Sequence, residues 1–423
     1  MINKYLLSPF AKAFLFALGY GILFYVMQFL LARTGIFALE PQAHKLIAWD
    51  VGFYDDLRQH GYNPASPNTG FFIFFPWLWR LTHLGIWGMS FLNIVFFSLG
   101  FAVLVRTLKE EDKTFWLVWL TLPAVYFAFI PYTESLFFLF GALMLYAVRE
   151  KKYKLLWLSL FLVSLIRAPG FFLIPAFVAM ELLGHSPRDI GKGLLRSGYR
   201  YIAPILLALA INVLIQYQAT GIWFVYFKTQ AEHWNHIFTF PGLPFSNIDN
   251  AVHHHWLSAI SMLIDAVAWV FLFRQLLLWL KNKPTADPLI TLSAGYLAMV
   301  LVFLVFFSPR YGGPVTFVMG ANRYTIIQPF FFVFLHFLGR QKYTLRHILF
   351  VFLLANGFWA LFGAFESLDK YITIAAISNL LILSFMLYCS EEKYRWAIIP
   401  FISFNIMMQL HFFQQFITPL FMD

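Results

Sequence analysis

Long apolar runs separated by short polar stretches recur along the chain from Phe10 to Phe413. A straight bilayer span needs about 20 apolar residues, and fewer where Pro or Gly breaks a run. On that measure the pattern predicts helices near 10–31, 86–105, 115–130, 135–148, 155–166, 170–183, 201–218, 256–280, 289–307, 324–338, 348–363, 372–389 and 396–413. The expectation is an all-α polytopic membrane protein with about 11–13 transmembrane helices, in one membrane domain over 1–423, with no room for a soluble domain. Three stretches interrupt the rhythm: 32–85, 219–255 and the shorter 308–323. Within the first, 44–62 is amphipathic and stops at Gly61, which predicts a short helix lying along the membrane surface. Leu46, Ile47, Phe53, Tyr54 and Leu57 would face lipid or protein, while Asp50 and Tyr54, four apart, share a face.

Composition agrees with the pattern: 61% of residues are hydrophobic, 12% are charged, and the mean hydropathy is +0.71. The first apolar run follows basic residues and lacks a small-residue cleavage site, so it is read as a retained helix. The formal charge of +10 matters here through its distribution, and nucleic acid is not an expected partner. With the N-terminus in the cytoplasm, 21 of the 30 Lys and Arg fall on the inner side, as the positive-inside rule requires. The three interrupting segments then face outward. The single cysteine, Cys389, excludes an intrachain disulfide framework. No Gly-rich phosphate loop, HExxH, GxSxG or CxxC is present, which removes the common soluble-enzyme chemistries.

The outward charges are few, and each needs water, a partner or a ligand. Asp50, beside Trp49 and against low-dielectric surroundings, is suited to act as a general base; a solvated acid on a surface helix is the plainer alternative. Glu134, in Pro131-Tyr132-Thr133-Glu134-Ser135, would open a helix either as a capping residue or as part of a site. The aromatic stretch 223–234 reads as an interfacial belt. Arg310 and Arg323 flank the mouth of a span, where an arginine fork suits a phosphate of a ligand or of a lipid headgroup. Adjacent side chains of His253-His254-His255 diverge by about 100° on a helix and would not converge on a metal.

Several motifs, in order, resemble one family. They are Trp49-Asp50, Tyr54, Gly61-Tyr62, Phe74-Phe75-Pro76, Leu122-Pro123, Pro131 to Ser135, Arg167 with Pro169, then Phe227, Gln230, Trp234 and Arg323-Tyr324. Across about 45–330 the chain resembles the PIG-V-type mannosyltransferases, a branch of the GT-C membrane glycosyltransferases. The resemblance implies a GT-C fold, with a catalytic core over about 1–340 and additional C-terminal helices over about 341–423. It further implies inverting transfer of a sugar, usually mannose, from a polyprenyl-phosphate donor lipid to a glycan, glycolipid or protein acceptor outside the cytoplasm. Asp50 would be the base; Arg323, with Arg310 as a second candidate, would hold the donor phosphate; Trp49, Tyr54, Tyr132, Glu134, Gln230, Trp234 and Tyr324 would line the substrates. No cofactor is implied. Val51 and the Asp55-Asp56 pair depart from the family's usual residues, and that pair leaves a divalent metal open. A transporter or flippase of lipid-linked sugars is the alternative; it would want charges along the spans or inverted repeats, neither of which the sequence displays. The Phe-rich, compact chain without a retrieval signal points to a bacterial cytoplasmic membrane.

Overall fold

The structure is a computed structural model that describes residues 8–187, 190–242, 246–247, 254–307, 320–364 and 368–418. It is helical apart from a two-residue parallel pairing of Ser246–Asn247 with Gly363–Ala364. Helix α1 (Pro9–Arg33) leads into the first long connection, which carries α2 (Asp50–His60) and α3 (Phe74–Thr82). The bundle continues with α4 (Ile86–Leu108), α5 (Lys113–Leu120), α6 (Glu134–Arg149), α7 (Tyr153–Ile166) and α8 (Leu173–Leu183). Next come α9 (Ile190–Ser197), α10 (Ala203–Thr220), the short α11 (Val225–Trp234), α12 (His254–Leu280) and α13 (Pro288–Phe306). The chain finishes with α14 (Ala321–Thr325), α15 (Pro329–Gly339), α16 (Leu345–Phe362), α17 (Leu368–Ser390) and α18 (Ile398–Phe416).

Helix covers every apolar run predicted from the sequence, but only seven helices among the described residues are long and apolar enough to cross a membrane unaided. Four more apolar helices are shorter: Tyr153–Ile166, Ala168–Leu183, Pro329–Gly339 and Leu345–Ala360. The run at 135–148 is covered by the unbroken 16-residue α6, whereas the run at 115–130 is broken for a physical reason. Pro123 stops α5, the chain turns through a 3-10 stretch over Pro123–Ala128, and α6 begins only at Glu134. Every residue from Val118 to Phe138 is buried. Broken backbone at membrane depth survives where protein, and not lipid, surrounds it.

Two kinds of contact hold the helices together, since apolar surface gains little by leaving lipid for protein. The first is close backbone approach at small residues. A Cβ on Gly100 of α4 would lie 2.9 Å from the Leu139 Cα of α6, and one on Gly295 of α13 would lie 2.9 Å from the Ala176 Cα of α8. The second is side-chain amide bonding from α18. Gln409 Nε2 donates at 3.1 Å to both Leu120 O and Leu122 O, carbonyls at the break before Pro123. Gln414 donates to the Oε1 of Gln28 on α1 at 2.8 Å, and Gln28 Nε2 donates to Leu410 O at 3.1 Å. One end of the bundle is further tied by Arg149–Asp287 and by Glu110, which meets His336 and Arg340. The other end carries α2, α3, α11 and the site.

Overpacking at these crossings should be destabilising by about 1–3 kcal/mol. Gly100→Ala and Gly295→Ala are each expected to lower the thermal midpoint of the detergent-solubilised protein, measured by aggregation onset. Gly357→Ala, where a Cβ meets nothing within 4 Å, should leave it unchanged.

Candidate active site

Asp50 is the first residue of α2, so the amphipathic helix expected over 44–62 starts later, after a 3-10 turn at Ala43–Leu46. It ends at Gly61, as the sequence predicts, with φ at 78°. Trp49 makes the corner. Its φ of 55° and ψ of −130° lie where side chains with a Cβ are rarely found, a conformation worth about 1–3 kcal/mol of strain. Val51, Tyr54 and Leu57 form the buried face of α2. The Tyr54 hydroxyl lies 3.5 Å from Thr133 Oγ1, and its ring meets Phe71, Phe75 and Tyr132 edge-on. Burial, reinforced by the Asp50 carboxylate, pushes the Tyr54 phenol above its usual value, so it serves as a neutral hydroxyl.

Asp50 faces a guanidinium from 273 positions further along the chain. Arg323, on the one-turn α14, donates from Nη1 to Asp50 Oδ2 at 2.6 Å and from Nε to Glu134 Oε1 at 2.6 Å. Glu134 also has Arg167 Nη1 at 2.9 Å, near enough for an ion pair though not aligned as a hydrogen bond. The four charges alternate in a line, Arg167, Glu134, Arg323, Asp50, and sum to zero. Exposure rises toward Asp50: the side chains of Glu134, Arg167, Arg323 and Asp50 are 0, 7, 15 and 25% accessible. Aromatic rings cover the guanidiniums, with Arg323 4.4 Å from the centroid of Tyr132 and 5.4 Å from that of Phe127, and Arg167 5.1 Å from that of Tyr324. Arg323 Nη2 is buried and has no hydrogen-bond partner among the described residues.

Local sequence explains these placements. Glu134 opens α6, as the sequence predicts; Thr133 makes no side-chain cap bond, and its hydroxyl instead donates to Glu134 Oε2 at 3.4 Å while the arginines meet Oε1. Arg167 sits in extended backbone where α7 gives way to a Pro169-containing 3-10 turn, which turns its side chain out of the helix and toward Glu134. Around Arg323, Gln328 Nε2 donates to the Arg323 carbonyl at 2.5 Å and Thr325 Oγ1 donates to Asp265 Oδ2 at 2.8 Å. Asp265 is fully buried within α12.

Gln230 and Trp234 stand one layer behind. Gln230 Nε2 donates to Gly70 O at 3.0 Å, Thr229 and Thr69 share a 2.6 Å hydroxyl contact, and Trp234 packs edge-on against Phe53 and Phe71. Through Phe71 they brace Tyr54 and α2. Trp49 is 43% exposed at the mouth. The Asp55–Asp56 pair is taken up locally: Asp55 by Arg58 and Gln59, Asp56 by Asn68 at 2.6 Å and His60 at 2.9 Å. Among the described residues no group of three or more His, Cys, Asp or Glu could hold a metal ion. Arg310 and His253 lie outside the described residues, as do the side chains of His254 and His255.

The sequence reading missed roles for Arg167, Phe127, Thr133 and Asp265. Only Arg167 carried a signal, as an arginine at the end of an apolar run with a proline two positions on. The chain matches no family model, no curated protein and no solved structure.

His236 follows α11 and has Nδ1 2.7 Å from Gln230 Oε1. Burial lowers its pKa from 6.5 to about 4, so it is neutral at pH 7 and donates through Nδ1. Unfolding or release of the segment would let it take up a proton. The stability it contributes is therefore full above pH about 6.5 and lost as pH falls toward about 4. Proteolytic protection of 221–242 should decline across that window, and His236→Asn should flatten the decline.

Proposed function

We propose that this protein is a GT-C-type inverting glycosyltransferase that moves a sugar, by resemblance mannose, from a polyprenyl-phosphate donor to an acceptor hydroxyl. It sits in a bacterial cytoplasmic membrane with its N-terminus inside and this site outside. The supporting observation is the 2.6 Å pairing of Asp50 with Arg323. The residue suited to be a base and the residue suited to hold a phosphate, assigned separately from the sequence, occupy one place.

In this reading the donor phosphate takes the place of Asp50 as the partner of Arg323 Nη1, which frees the carboxylate to face the acceptor. The acceptor oxygen attacks the anomeric carbon as its proton passes to Asp50. The bond from that carbon to the phosphate oxygen breaks on the opposite face, inverting the configuration and releasing polyprenyl phosphate. The negative charge growing on the phosphate is met by Arg323, whose positive charge is already desolvated beneath Tyr132 and Phe127. One carboxylate suffices because the nucleophile is an acceptor hydroxyl and there is a single displacement.

The test is transfer from radiolabelled polyprenyl-phosphate-mannose in membranes carrying the wild-type chain or Asp50→Asn. Loss of a general base is expected to lower transfer by about 10²–10⁴-fold without abolishing donor binding. Equal transfer by both would remove Asp50 as the base, and lipid movement without a glycosidic product would favour a flippase.

A further inference from the structure

We propose that Glu134, gripped by Arg167, is a positioning residue that aims Arg323 at the donor phosphate. This rests on the reading of Arg323 as the phosphate-binding group. Glu134 is wholly inaccessible and lies behind two guanidiniums, so it has no surface to offer a sugar or an acceptor. It instead fixes the direction that the rings leave open. The rings of Tyr132 and Phe127 lie with their centroids 4.4 and 5.4 Å from the Arg323 guanidinium carbon and confine the group, but they offer it no hydrogen bond that sets which way its donors point. The bond from Nε to Glu134 Oε1 does so. With Nε taken by Glu134, the far edge of the fork is left with Nη1, which Asp50 holds, and Nη2.

That far edge is the part a ligand would use. Nη1 meets Asp50, the most accessible of the four charged side chains, and Nη2 has no partner. A phosphoryl oxygen arriving beside Asp50 could bridge Nη1 and Nη2 in the bidentate manner that arginine favours. Arg167 has a separate task. A carboxylate with one cation would be neutralised once, and Arg323 would have to supply all of that neutralisation. With Arg167 on the other side, Glu134 keeps a counter-charge of its own while Arg323 turns its charge toward the phosphate. The pair also keeps Arg323 in place when Asp50 becomes neutral on accepting a proton. The bond from Gln328 to the Arg323 carbonyl and the side-chain bond from Thr325 to Asp265 hold α14 so that the Arg323 side chain works from a fixed base.

The experiment uses the full chain in detergent, with radiolabelled polyprenyl monophosphate displaced by unlabelled polyprenyl monophosphate or by the matching polyprenol. The wild type is expected to prefer the phosphate by about 10-fold or more, the scale of one charge-assisted contact, and Arg323→Met to lose that preference. Glu134→Gln with Arg167→Met removes one charge of each sign and keeps the volumes similar. It should fold, as judged by thermal midpoint, yet show less than about 3-fold preference. Glu134→Asp keeps the charge and shortens the reach by one methylene; it should show an intermediate preference with an unchanged midpoint. A folded double variant with the wild-type preference would show that Glu134 merely neutralises Arg167, and a full preference in Glu134→Asp would overturn the proposal without needing the double variant to fold. If the wild type itself does not distinguish phosphate from alcohol, the donor assignment of Arg323 falls as well, an outcome separate from the failure of positioning alone.

Discussion

Four alternating charges, Arg167, Glu134, Arg323 and Asp50, join the end of α7, the start of α6, the short α14 and the start of α2. Each would be costly to hold alone in surroundings this apolar, and removing one partner of such a pair leaves the other uncompensated. The arrangement is therefore all-or-none: the ends of four helices must meet at one point for any of the charges to be tolerated. This constraint accounts for the irregular backbone nearby. Arg167 is in extended conformation, α14 is five residues long, and Trp49 takes a corner that a residue with a Cβ rarely adopts. Regular helices running through these positions would point the same side chains at lipid or at one another's backbones.

The surrounding bundle is built to hold that meeting point. Aromatic rings line it on the inner side, where Tyr132 and Phe127 lie against Arg323, and Phe416 of the last helix lies behind Tyr132 at 5.8 Å. On the outer side α11 and the 66–71 segment hold α2 in place through Gln230, Thr229 and Trp234. Helix α11 thus supports α2 without itself reaching the charges. The helices at 341–423 are not separable from the rest on packing grounds, because α18 shares amide bonds with α1 and with the break before Pro123.

Much of the helical layout was legible because a membrane span writes its length directly into the sequence as an apolar run. The turn at Gly61 and the helix start at Glu134 were equally plain, since each rests on local chemistry. Asp50, Glu134 and Arg323 stood out because charges are scarce in so apolar a chain. Their pairing was not legible: positions 50 and 323 are 273 apart, and nothing local says which arginine meets which acid. The expectation that Glu134, Gln230 and Trp234 line a substrate came with the family resemblance; in the structure Glu134 is inaccessible, and Gln230 and Trp234 pack one layer behind the charges. The bond between Thr325 and Asp265 was no more legible, because the two residues belong to different helices. The strain at Trp49 has no sequence signal, as only glycine advertises such a corner.

The two carbonyls at the break before Pro123 have a bearing on how the molecule is made. Their side-chain donor, Gln409, belongs to α18, and so does Phe416, which closes the far side of Tyr132. Until α18 enters the bundle, Leu120 and Leu122 face the bilayer without that donor, and the ring beneath Arg323 lacks its backing. Leu120 lies 289 positions before its donor Gln409, yet the order of that break waits for α18 to dock. Completion of the site is thereby coupled to a helix that carries none of the four charges, and a bundle in which α18 is undocked would hold all four without the wall behind Tyr132.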